Sequence, residues 1–127
     1  MATVLWIALG SALGGAGRYG VGLWTAARFG GDFPWATLIV NVVGSFVIGA
    51  VTVATAVNGP WPVSNDARLF LTVGFCGGFT TFSAFSIQTL SLIQAGQWPQ
   101  ASFNILGSVV FCLLAVWAGS VAVGAIR

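Results

Sequence analysis

From Leu69 to Ala95 the chain carries no charged residue, a run long enough to cross a bilayer as a helix. In its middle stands Gly74-Phe75-Cys76-Gly77-Gly78-Phe79-Thr80-Thr81-Phe82-Ser83-Ala84-Phe85-Ser86. Lipid cannot hydrogen-bond a free backbone group. Non-helical chain at that depth therefore has to be buried in protein or to line a cavity. Glycines and hydroxyls here predict a helix interrupted over about Gly74 to Thr81, and such an interruption points to an ion or substrate site. Phe82 and Phe85 follow, three residues apart, on one face of the helix that resumes.

The rest of the chain is of the same kind. Only Arg18, Arg28, Asp32, Asp66, Arg68 and Arg127 are charged, and mean hydropathy is +0.98. A soluble domain would carry roughly a quarter charged residues, so the chain reads as an all-α integral membrane protein. Its 127 residues form one domain, 1–127, filled by four spans of roughly 20 residues or more. Span 1 is expected over about Thr3 to Ala27, span 2 over Trp35 to Val57, span 3 over Asp66 to Ala95 and span 4 over Pro99 to Ala125. The start of the chain, with no basic stretch before Val4-Leu5-Trp6-Ile7, reads as a first span and not as a cleaved signal. Asn58-Gly59-Pro60-Trp61-Pro62 and Gly96-Gln97-Trp98-Pro99 are the clearest breaks. Trp6, Trp24, Trp35, Trp61 and Trp98 lie near span ends, where an aromatic belt meets the membrane surface.

Eighteen glycines demand a physical reason. Membrane helices associate by close approach at small residues. Gly10, Gly14, Gly15 and Gly17 in span 1, and Gly44, Ser45 and Gly49 in span 2, are expected to pack helices tightly. Four spans put both ends of the chain on one side. Arg28 then flanks one face and Arg68 and Arg127 the other, with Arg18 inside span 1. Orientation follows the Lys/Arg bias of short loops. That bias is close to nil here, which is compatible with insertion both ways up and an antiparallel dimer.

Composition removes several functions. With no His, no Glu and no Lys, a nucleophile and base for catalysis are missing, and no basic patch suits nucleic acid. Proton coupling generally uses an intramembrane acid or His, and none is present. Cys76 and Cys112 sit in apolar segments and read as small packing residues, with no disulfide framework or metal site. Neutral polar rows remain: Asn41 with Ser45 on span 2, Thr80, Thr81, Ser83 and Ser86 on span 3, and Asn104, Ser108 and Cys112 at i, i+4 and i+8 on span 4. Each hydroxyl alone more often makes a helix-helix hydrogen bond than lines a pore. Together, uncharged donors suit an anion that must bind weakly enough to leave. The positive edges of Phe82 and Phe85 offer a further weak contact, although two Phe at this spacing also suit core packing. A helix break frees carbonyls, which coordinate cations.

Three motifs resemble the Fluc (CrcB-type) family of small fluoride channels. They are Gly14-Gly15-Ala16-Gly17-Arg18-Tyr19, Asn41-Val42-Val43-Gly44-Ser45-Phe46, and the run from Gly74 to Phe85. Length and span layout match over the whole chain. The resemblance implies a passive fluoride-selective channel in the bacterial inner (plasma) membrane that relieves fluoride toxicity. It implies an antiparallel, dual-topology homodimer with two pores and a third helix broken mid-membrane. By position, Phe82 and Phe85 would be the pore phenylalanines and Asn41 the pore asparagine. Thr81 and Ser108 would belong to the polar lining. Gly77 and Thr80 would supply carbonyls to a central structural sodium ion, and Arg18 would be the family's first-helix arginine. Many relatives carry a tyrosine on the fourth helix near the depth where this chain offers Asn104 or Phe103. Two alternatives fit less. A small dual-topology drug exporter matches the length but needs an intramembrane carboxylate. A non-transporting assembly subunit explains the glycines but not the clustered hydroxyls of span 3.

Overall fold

The computed structural model describes residues 1–126, and within them all regular secondary structure is helical, with no strand. Arg127, one of the flanking arginines, lies outside the described residues. Helix α1 (Ala2–Phe29) ends where Gly30 takes φ 73°, a left-handed conformation that glycine adopts without strain. Helix α2 (Trp35–Ala54) starts after Pro34. Its end at Ala54 falls three residues before the expected Val57. A loop then leads to α3 (Asn65–Leu69), whose first turn Ser64 caps by accepting the Ala67 N–H at 3.2 Å. The helix continues as a π segment (Phe70–Cys76) and a short α4 (Gly77–Phe79). After two extended residues, α5 (Phe82–Gln94) resumes. Gly96, at φ 72°, turns the chain into α6 (Trp98–Gly124), which takes Pro99 in its first turn.

Three of these stretches are long and apolar enough to cross a membrane: Trp35–Ala54, Asn65–Gln94 and Trp98–Gly124. The expected span 1 corresponds to α1, which has the length but is diluted by six glycines and Arg18, and is not among the three.

Glycine contacts hold the helices together. A Cβ at Gly10 would lie 2.5 Å from the Phe70 carbonyl oxygen, and one at Gly14 would strike the Phe75 carbonyl. In return, a Cβ on Gly74 would meet the Ile7 carbonyl at 2.9 Å, and one on Gly78 would meet that of Ser11 at 2.5 Å. Backbone thus touches backbone along the α1 face of the 70–79 segment. The same device joins α2 to α6, where Gly49 faces the Val116 carbonyl and Gly119 that of Phe46. Gly15 has nothing within 4 Å and takes no part in the packing.

The interruption is confined to the last two residues of the expected stretch, Gly74 to Thr81. Gly74, Gly77 and Gly78 remain helical, and only Thr80 (φ −84°, ψ 159°) and Thr81 (φ −156°, ψ 113°) are extended. Gly74 and Gly78 serve the approach of α1. The threonines end the helix: Thr80 Oγ1 donates back to the Cys76 carbonyl at 2.8 Å, and Thr81 starts the next helix as its cap. Hydroxyls that compete for backbone partners suit that role.

Candidate functional site

At the interruption the backbone exchanges its helical partners for side chains. In a continuous helix the Thr81 N–H would donate to the Gly77 carbonyl. Here it donates to Asn41 Oδ1 at 2.7 Å, and Asn41 Nδ2 donates to the Thr81 carbonyl at 3.1 Å. A single carboxamide on α2 therefore pairs with both backbone groups of one residue, as a neighbouring strand would. The Ala84 N–H, which would otherwise donate to the Thr80 carbonyl, donates to Thr81 Oγ1 at 3.1 Å. That oxygen also lies 3.2 Å from Ser83 Oγ. The carbonyls of Gly77 and Thr80 thus lose their helical donors, while the Thr81 and Ala84 N–H groups across the gap are satisfied.

These residues border an open groove of about 440 Å³ between α2, the interrupted helix and α6. Asn41, Thr81, Phe82, Phe85 and Ser108 all line it, and Gly77 and Thr80 lie along the same wall. Arg18 stands on α1 outside the groove. No residue lining the groove is charged. The rings of Phe82 and Phe85 are tilted by 42° with centroids 5.1 Å apart. Phe82 is 76% exposed, and the Ser108 hydroxyl is buried with no hydrogen-bond partner. Asn41 commits its carbonyl and one amide proton to Thr81, and its second N–H remains for a ligand.

Several members of the groove are legible in the sequence only in part. Gly44 lets the Thr80 methyl group seat against α2, since a Cβ there would collide with it. Cys76 is buried, as a packing residue should be, but Cys112 is half-buried and lines the groove beside Ser108. Thr72 and Ser45 complete its polar rim. Nothing in the residue spacing signals that Asn41 clamps the Thr81 backbone, because the partner groups belong to the main chain.

The groove can offer small uncharged donors and ring edges to an anion, and clustered carbonyl oxygens to a cation. Among the described residues, no group of His, Cys, Asp or Glu could hold a metal ion, so a cation here would rest on neutral oxygens. That donor set suits hard ions.

Known proteins give this geometry a context. A family model described as "CrcB-like protein, Camphor Resistance (CrcB)" matches residues 5–120. The fluoride-specific ion channel FluC of Methylocella silvestris is 54% identical over 123 residues, covering 97% of this chain and 94% of its own length. That of Paramagnetospirillum magneticum is 52% identical over 122 residues, with 96% and 95% covered. A more distant relative, the fluoride-specific ion channel FluC of Thermus thermophilus, is 47% identical over 115 residues, with 91% and 88% covered.

Proposed function

The chain belongs to the CrcB-like family, and on that premise we propose that it forms a passive, fluoride-selective channel. Near-full-length relatives named for that activity support the reading. The observation that carries it is the groove itself. Three helices bring uncharged donors and two aromatic rings together, and the Ser108 hydroxyl has its proton to spare. Fluoride holds its water strongly, and losing it is costly. Asn41 Nδ2, the Thr81 and Ser108 hydroxyls and the ring edges of Phe82 and Phe85 replace that water in many weak steps. No charged side chain lines the groove to trap the ion. Such a channel moves fluoride out of the cell down its gradient, and it makes and breaks no covalent bond.

In this reading α1 is a fourth span, and the extended pair Thr80–Thr81 lies mid-membrane. The active form is an antiparallel homodimer of dual topology, with two pores. A protomer that leaves Phe82 mostly exposed beside a groove with largely apolar walls is suited to being covered by a second copy. The near-even arginines favour insertion in both orientations. Several Lys added at Gly96-Gln97 are expected to fix one orientation and silence the protein, with activity restored by an oppositely biased copy. Full activity from one biased copy alone would contradict dual topology.

The carbonyls of Gly77 and Thr80, freed of their helical donors, fit a sodium ion shared with the partner copy at the dimer centre. Bound there, the ion would supply fixed positive charge and tie the two interruptions together. The Thr80 side chain is directed away from that task, to Cys76 and Gly44.

Isoleucine at Phe82 or Phe85 keeps bulk and removes the ring quadrupole. Phe82→Ile and Phe85→Ile are each expected to cut fluoride flux per purified dimer by at least about tenfold, or about 1.4 kcal/mol of barrier, without changing the size-exclusion profile. A packing role predicts the reverse: lost assembly, and near-normal flux in what survives.

A further inference from the structure

Beyond the groove, Asn104 is fully buried on α6 at 0% exposure, an unusual place for a carboxamide. Its Nδ2 donates to Thr89 Oγ1 on α5 at 2.9 Å, and Thr89 Oγ1 donates in turn to the Phe85 carbonyl at 2.7 Å. Thr89 has one hydroxyl proton and spends it on Phe85, so its oxygen can only accept from Asn104. That fixes which way the carboxamide faces. Asn104 Oδ1 is left buried without a partner, so this side chain is held in place at a cost for the sake of one directed contact.

Place in the fold says what the contact does. A short turn at Gly96 makes α5 and α6 antiparallel neighbours. One turn back along α5 from Thr89 is Phe85, and one turn on along α6 from Asn104 is Ser108. Both line the groove. We infer that Asn104 is a positioning residue: through Thr89 it pins the α5–α6 register and so holds Phe85 opposite Ser108. This rests on the channel reading, in which those two groups border the fluoride path. A row of polar side chains read from sequence places Asn104 with Ser108 and Cys112; in the structure Asn104 bonds to Thr89 on the neighbouring helix and, unlike those two, does not line the groove.

The test is Asn104→Asp in the full chain, reconstituted in liposomes, with fluoride flux per assembled protein followed between about pH 8.5 and about pH 5.5. A carboxylate has no proton for Thr89, whose hydroxyl must then leave the Phe85 carbonyl to meet it. A neutral carboxyl can donate to Thr89 Oγ1 and restore the relay. Helices α2, α5 and α6, which surround the site, contain no Asp, Glu, Lys, Arg or His, and Cys112 is their one titratable group. Flux is expected to fall at least about fivefold at the upper pH, the worth of one directed hydrogen bond, and to recover as pH drops. Wild type should show no such recovery, and Asn104→Leu should stay low throughout. Low flux from Asn104→Asp that does not recover as pH drops, or wild-type flux from Asn104→Leu, overturns the role. Should Asn104→Asp fail to assemble, Thr89→Ser and Thr89→Val decide. Flux is expected to persist in the serine variant and to fall in the valine variant, and equal flux in both overturns the inference. No flux from the wild-type chain removes the channel reading and this one with it. Wild-type flux with insensitive variants removes only the positioning role.

Discussion

Asn41→Leu is expected to abolish fluoride flux, lowering it by at least about 100-fold. Leucine fills the same space but offers nothing to Thr81. Both the N–H and the carbonyl of that residue, which is only 8% exposed, then lose their partner. Each stranded group costs about 1–3 kcal/mol, so together they are a large share of the roughly 5–15 kcal/mol by which a typical domain is stable. The extended pair at Thr80–Thr81 is then free to rewind toward continuous helix, which would re-pair the Gly77 carbonyl and swing Phe82 out of register. A flux for Asn41→Leu within about threefold of wild type would show that the interruption holds without its clamp.

Gly14→Ala is expected to have the second large effect, on assembly and not on conduction. Its new methyl group would land on the Phe75 carbonyl, with the Phe79 nitrogen 2.8 Å away. Neither atom is the end of a flexible side chain. Helix α1 must move out, and overpacking typically costs about 1–3 kcal/mol, toward the upper end where the obstacle is backbone. Loss of the folded species on size exclusion is the measurement. Gly20→Ala is the control, because nothing lies within 4 Å of a Cβ there, and it should behave as wild type. Equal behaviour of the two variants would mean that α1 does not seat on the 70–79 segment through its glycines.

These two residues also mark what a sequence does and does not disclose. The apolar, nearly uncharged chain announces membrane helices because lipid leaves no other solution for the backbone. The groove is foreshadowed in the same way: Phe82, Phe85, Thr81 and Ser108 are side chains at helical spacings, and spacing predicts which face they share. The interruption lies later than its glycines suggest. Gly74 and Gly78 look like helix breakers when read alone, but their lack of a Cβ serves the contact with α1, and a contact partner more than 60 residues away leaves no local trace. The Thr80–Thr81 pair ends the helix through hydroxyls whose partners are backbone atoms. For the same reason Asn41 reads as a lining residue when its main partner is the Thr81 main chain. Spacing at i, i+4 groups Asn104 with Ser108. Its engagement with Thr89 depends on the turn at Gly96 bringing α5 back against α6, which periodicity along one helix does not report.

The most direct measurement is fluoride release from liposomes that contain only the purified wild-type chain, followed with a fluoride electrode while potassium flux balances charge. The groove has donors but no titratable group fit for proton coupling. Release is therefore predicted to run down the fluoride gradient at a rate far above protein-free liposomes, and to be unchanged when the proton gradient is collapsed. Release no faster than from protein-free liposomes, or release that stops without a proton gradient, would contradict a passive fluoride pathway.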